Sequence, residues 1–149
     1  MGSVAWAVLY INGSADGSVS IVDPEDDPNV PVTAITMVRA RVTLTAHEIG
    51  MIGQNGTYYD LRTRLYEEDN SPWPWGDDTD DQIWQRRPRL QGIVNEVIEV
   101  SVNVPVLTLK AHGAEYYAAA KLYRRTDSGM SGLYSRRTNT IKLEYLHPQ

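Results

Sequence analysis

Seven carboxylates fall within the fifteen residues from Glu67 to Asp81, namely Glu67, Glu68, Asp69, Asp77, Asp78, Asp80 and Asp81, with no Lys or Arg between Leu65 and Gln85. Like charges at this density repel one another unless a cation, or water with loose counterions, sits among them. A second acidic group, Asp23, Glu25, Asp26 and Asp27, lies upstream in a proline-rich stretch. Carboxylates, carbonyls and water are the donors that calcium takes, about six to eight at a time, whereas magnesium prefers a tighter octahedron and keeps its waters. The expected metal ligands are Asp23, Asp26, Asp27, Glu67, Asp69, Asp77, Asp78, Asp80 and Asp81, with calcium as the ion. The competing reading is a solvated, solubilising rim, because no twelve-residue EF-hand spacing is present.

Other chemistries find less support. The chain has no Cys, which removes disulfides, thiolate metal sites and cysteine nucleophiles, and its three histidines, His47, His112 and His147, show no metal-ligand spacing. No nucleophile elbow singles out a serine, and Gly50, Gly53 and Gly56 are spaced as turn residues, not as a phosphate-cradling loop. Paired carboxylates for glycoside cleavage need one raised pKa, which loops this polar do not provide. The expectation is a protein that is not an enzyme.

Two kinds of residue suggest contact with a partner. Trp73 and Trp75 alternate with Pro72 and Pro74, a stiff extended presentation that lowers the entropy lost on docking; the alternative is that the rings fold back to cap the core. Arg86, Arg87 and Arg89 form the densest basic cluster directly after the acidic loop, and their simplest role is to offset it.

The elements that carry these residues alternate with period two, and helical periodicity is hard to find, so the expected class is all-β. Val4, Trp6, Val8 and Tyr10 share one strand face, and Val38, Ala40, Val42 and Leu44 another, opposite Arg39, Arg41 and Thr43. Asn55-Gly56 signals a hairpin into Tyr58. Ile93 to Val104 reads as a strand broken or bulged at Pro105, with Leu107 and Leu109 continuing it; Glu115 to Arg125 and Thr140 to Leu146 read as two more, and Asp127 to Gly132 as a flexible turn. About eight short strands at this spacing predict one antiparallel β-sandwich domain over residues 1–149. In a strict up-and-down order both acidic loops leave the same end of it.

At Leu65-Tyr66-Glu67-Glu68-Asp69, followed by Asp77-Asp78-Thr79-Asp80-Asp81-Gln82-Ile83, the chain resembles the third calcium loop of C2 domains. There a strand ends in a hydrophobic-aromatic-acid-x-acid pattern and a later Asp-x-Ile opens the next. The resemblance implies an eight-stranded sandwich whose first and third connecting loops pool aspartates for calcium, with Asp23 to Asp27 in the first. It covers about twenty-five residues plus that loop, and Glu67 stands where the family usually has Asp.

The net charge of −5 is unevenly spread: residues 1–81 carry fourteen acids and four bases, residues 82–149 five acids and ten bases. Ends of opposite sign favour head-to-tail contacts between copies. The total is acidic and no Lys/Arg face with interleaved aromatics is visible in the order of residues, so nucleic acid is not expected as a partner. No run is long enough to span a bilayer as a helix, and no signal peptide is visible, so the chain reads as soluble, with a virion or extracellular surface as a candidate location. Two functions emerge: a structural or assembly module of virion, tail or filament type that self-associates through complementary charged ends, and a calcium-assisted C2-like adhesion or binding module using the acidic loops and the Trp pair.

Overall fold

The computed structural model describes residues 1–68 and 80–147. Nine strands occur in chain order, β1 Ser3–Ile11, β2 Ser18–Val22, β3 Thr33–Thr43, β4 Tyr58–Glu67, β5 Asp81–Arg86, β6 Asn95–Pro105, β7 Glu115–Thr126, β8 Gly129–Arg137 and β9 Ile141–Leu146, with two short helices, α1 Ala46–Gly50 and α2 Val106–His112. The class is all-β, in two sheets. A three-stranded sheet has the order β1-β3-β6; the larger one has the order β2-β9-β7-β4-β5, with β8 also pairing β7. All pairings are antiparallel except β2 with β9, which is parallel.

Strict alternation builds the core between the sheets. On β3, Ala34, Thr36, Val38, Ala40 and Val42 are buried; on β7, Tyr116, Ala118, Ala120 and Leu122 face them, and on β4, Tyr59, Leu61, Thr63 and Leu65 do so. The only β-period that satisfies both sheets is the one in which these sets meet, because a one-residue slip would expose every member. Trp84 on β5 donates its indole N–H to Thr36 Oγ1 across the layers at 2.9 Å, which satisfies a polar group in an otherwise apolar region.

Three local expectations are corrected. Asn55-Gly56 does not join a hairpin, because β3 and β4 lie in different sheets. Between them, Thr45 opens α1 with a reciprocal capping box: its hydroxyl accepts from Glu48 N–H and Glu48 accepts from Thr45 N–H. Asn55 and Gly56 sit instead in a 3-10 turn over Gln54–Gly56, both at positive φ. After Pro105 the chain turns helical, since Val106 and Leu109, three apart, bury one face of α2. Asp127 to Gly132 is mostly strand β8, hydrogen-bonded to the outer part of β7 from Ala119 to Thr126.

β8 and β9 run along the same edge of β7 and are separated by Thr138 to Thr140. At that break Asn139 turns toward the other sheet: its Oδ1 accepts from Leu9 N–H at 2.8 Å, and its Nδ2 donates to Leu9 and Ala15 carbonyls at 3.1 and 3.2 Å. One amide side chain thus substitutes for a strand neighbour at the outer edge of β1. Asn139→Ala removes all three bonds and orphans Leu9, and each unmet buried group costs roughly 1–3 kcal/mol. The expected result is a urea midpoint lowered by the equivalent of about 2 kcal/mol at unchanged slope, against less than about 0.5 kcal/mol for the exposed control Asn103→Ala.

Candidate functional site

Both acidic segments leave the same end of the larger sheet. β2 and β9 end there, β4 ends there at Glu67, and β5 and β7 start there, as the pairs Val22 with Leu146, Glu67 with Asp81 and Glu67 with Tyr116 require. They do not merge, because β9 and β7 stand between β2 and β4. Three strand spacings of about 4.8 Å separate β2 from β4 across the sheet, and Leu146, the partner of Val22, lies five residues along β9 beyond Ile141 in the row of Tyr116 and Glu67, so Asp23 is offset from Glu67 along the strands as well.

Helix α2 closes this end. Tyr116, fully buried, donates its hydroxyl to the Leu109 carbonyl at 2.5 Å and reaches the Gly113 carbonyl at 3.2 Å; Tyr145 donates to the same Gly113 carbonyl at 2.9 Å. The Leu109 carbonyl also accepts the Gly113 N–H at 3.0 Å, so the Tyr116 hydroxyl adds a second bond to it, and the two tyrosines together cap the Gly113 carbonyl just past the helix end. Burial drives the Tyr116 hydroxyl well above the ordinary tyrosine range and holds Tyr145 at about 12, so both remain donors at any physiological pH. Gly113 sits at φ 150° against the Glu67 carboxylate, where a Cβ would collide.

With α2 fixed, its two basic residues each meet one acidic segment. Lys110 binds Asp23 Oδ2 directly and lies 3.8 Å from Glu25. His112 Nδ1 is 3.3 Å from Asp81. Asp23 is otherwise enclosed: only 1% exposed, it accepts at Oδ1 from Glu25 N–H at 2.9 Å, and His147 Nδ1 stands 3.6 Å from it and 2.6 Å from Asp26. The Lys110 hydrogen bond, then the Glu25 N–H, hold the Asp23 carboxyl below the usual range, and Asp23 in turn raises Lys110.

Of the residues expected to bind metal, Asp23 and Asp26 come together, with His147 as a third donor, all within 4.8 Å of one another. Asp27 accepts from Asn29 N–H in its own loop, Glu67 packs on Gly113, Asp80 accepts from the Tyr117 hydroxyl and Asp81 faces His112. Asp69, Asp77, Asp78, Trp73 and Trp75 lie outside the described residues. Chemically, the Asp23 group is already neutralised by an ammonium, and one of its three donors is an imidazole, which suits transition metals better than calcium. Lys110 and His147 were not legible as partners in the order of residues; the signal for Lys110 was Pro105 followed by apolar residues three apart.

Arg86, Arg87 and Arg89 do not offset the acidic loop, because β5 carries them to its opposite end. Arg87 lies 3.9 Å and Arg125 3.4 Å from the buried carboxylate of Asp60, Arg89 lies 4.2 Å over the Tyr58 ring, and Arg86 is exposed. Burial outweighs both arginines and raises Asp60.

The two aspartates act oppositely on stability. Asp23, lower when folded, stabilises above its unfolded pKa and loses that contribution as pH falls through the folded value; Asp60, higher when folded, loses stability as pH rises through the window above its unfolded value. Lys110→Met removes the first cause of the Asp23 shift. Carboxyl NMR titration is expected to show Asp23 moving up toward its unfolded value, and thermal melts to show a lower melting temperature near neutral pH with a smaller further loss on acidification than in the wild type. No protein-family model matches this chain, and no curated protein matches it in sequence.

Proposed function

We propose that the chain is a non-enzymatic structural module that assembles with copies of itself, in the manner of a virion, tail or filament subunit. The observation that carries this reading is strand β6. It is eleven residues long, pairs β3 without a register break, and stands at the edge of its sheet. Val97 is 47% exposed, and the preceding Ile93 and Val94 are 50% and 52% exposed.

Its hydrogen-bonding parity can be read from its ends. Leu44 N–H donates to Val94 O, and Val106 N–H donates to Val32 O, so even-numbered residues face β3 and the odd-numbered N–H and C=O groups face outward. A second β6 laid antiparallel with Val100 opposite Val100 pairs Val97 with Asn103 and Glu99 with Ser101. That register opposes no like charges, joins Ile98 to Val102 on the inner face, and forms about eight backbone hydrogen bonds. Two three-stranded sheets would become one of six strands about a two-fold axis.

Charged ends support a second, head-to-tail contact, with Asp23, Glu25 and Asp26 at one end and Arg86, Arg124 and Arg125 at the other. The calcium reading retains the Asp23, Asp26 and His147 group as its support.

Light scattering after size-exclusion chromatography separates the three. Edge pairing predicts a dimer that survives ~0.5 M salt, where surface charge is screened within a few ångströms, and that is lost in Ser101→Pro. That substitution removes an outward N–H and leaves the β3 ladder intact, so the monomer should keep its melting temperature within a few degrees. A dimer lost in salt instead selects the charged ends; a melting temperature raised by millimolar calcium and not in Asp23→Asn selects the metal module. A wild-type monomer at 100 µM, indifferent to both, refutes assembly.

A further inference from the structure

The larger sheet turns a second face outward. Tyr58, Asp60, Arg62, Arg64 and Tyr66 alternate outward on β4; on β7, Tyr117, Lys121, Tyr123 and Arg125 do the same. The register sets Arg62 directly opposite Lys121. Like charges directly opposed across strands destabilise a sheet. Arg87 joins them, so that three cations surround one ring: Arg62, Arg87 and Lys121 lie 5.3, 5.1 and 5.1 Å from the Tyr123 centroid.

Around this centre the pattern repeats. Arg89 and Arg125 lie over Tyr58 at 4.2 and 5.9 Å, and Arg137 over Tyr117 at 3.6 Å, with Tyr117 stacked on Tyr66 at 5.4 Å. Tyr117 and Tyr123 point away from the core yet are only 9% and 6% exposed, because the cations cover them. Asp60 serves Arg87 and Arg125; among the described residues no carboxylate lies within ion-pair reach of Arg62, Arg89 or Lys121. Buried Arg87 Nη1 has no acceptor. Gly132 leaves the space that the Lys121 stem occupies, since a Cβ there would stand 2.8 Å from Lys121 Cε.

We infer that this face binds the phosphodiester backbone of a single-stranded nucleic acid. A packed row of opposed cations is unfavourable alone and becomes favourable once phosphates lie between them. Guanidinium groups already held over tyrosine rings lose little freedom in binding phosphate through two donors, and guanidinium groups can also stack on bases. Outward residues recur at roughly 6.6–6.8 Å along each strand, a row that suits a chain of charges better than a single anion. Among the described residues this face is built from strands, with no helix on it to enter a groove, which favours a single strand over a duplex. Glu68, Asp80 and Asp81 bound it on the acidic side, so the footprint centres on Tyr58 and Tyr123.

The test is a fluorescence anisotropy titration of labelled twelve-nucleotide oligo-dT and oligo-U from 50 to 300 mM NaCl. Three to four phosphates on this footprint give a slope of log K against log salt of about −2 to −3, with affinity in the micromolar range at low salt. Arg62→Gln with Lys121→Gln should weaken binding at least tenfold at 50 mM and flatten the slope by roughly 1.4, while raising the melting temperature by relieving the opposed charges. Lys121→Gln alone serves if the pair fails to fold. Arg39→Gln, on the other sheet, and Ser101→Pro, at the assembly edge, should leave binding unchanged, which keeps this result separate from the assembly reading. No binding at 200 µM protein, equal losses in Arg39→Gln, an unaltered slope, or binding of polyphosphate without oligonucleotide would each overturn the inference.

Discussion

The constraint on which the molecule turns is the two-fold period of β7. Its neighbours fix it on both edges, with β4 along one and β8 followed by β9 along the other. It therefore cannot slip, and each successive residue is committed to the core or to the outer face. Inward, Tyr116 and Leu122 fill space, while Ala118 and Ala120 leave room for the three-stranded sheet to approach. Outward, Tyr117 and Tyr123 form platforms that cationic side chains cover. The same strand also sets the acidic end, because the Tyr116 hydroxyl holds the last turn of α2 and so aims Lys110 and His112 at different carboxylates.

Charge is separated along this frame and treated differently at its two ends. At the acidic end the histidines meet Asp81 and Asp26 near the surface, where pairing is screened and individually weak, while the buried Asp23 is held by the half-exposed Lys110 and by a backbone N–H. At the other end Asp60 is 4% exposed between two arginines and keeps one oxygen without a hydrogen bond. Removing a partner from a buried pair costs far more than removing one from an exposed pair. Arg87 and Arg125 are thus structural as well as surface charges, which explains why the Arg-rich run after the acidic loop is carried away from it.

Much of the fold was legible because alternation is a local signal. The runs at Thr33 to Leu44 and Glu115 to Arg125 show which face is wet, whereas the first strand misleads: a bulge between Val4 and Trp6 separates Val4 from Trp6, Val8 and Tyr10, and the buried face continues through Ala7, Leu9 and Ile11. What was not legible has two causes. Short helices override a weak pattern: the capping pair Thr45 and Glu48 and the apolar pair Val106 and Leu109 span one turn each, too little for periodicity to declare itself. Composition also averages over distance. The Arg and Tyr face joins residues 58–66 to 117–137 through strand register, and the asymmetry between chain halves, taken as a property of ends, is in part a property of one sheet face.

The edges of the two sheets show how the fold manages unpaired backbone. β1 has its outer edge taken by side chains, Asn139 at Leu9 and Arg136 at the Val4 carbonyl, 2.7 Å away. β2 is five residues long, and β5 is six residues long with a register shift against β4, so neither offers a long flat template. β6 lacks every such device: no lysine, no bulge, and no proline before Pro105. Glu99, its one outward charge, is engaged by Arg39 on the neighbouring strand at 3.2 Å and so repels little. Soluble β proteins blunt edges of this length, since an open one recruits other chains. The outer side of β8 is also open, but a register shift against β7 breaks it, so among the described residues β6 is the longest and least guarded edge, and it is on this contrast that the proposal of a neighbouring copy rests.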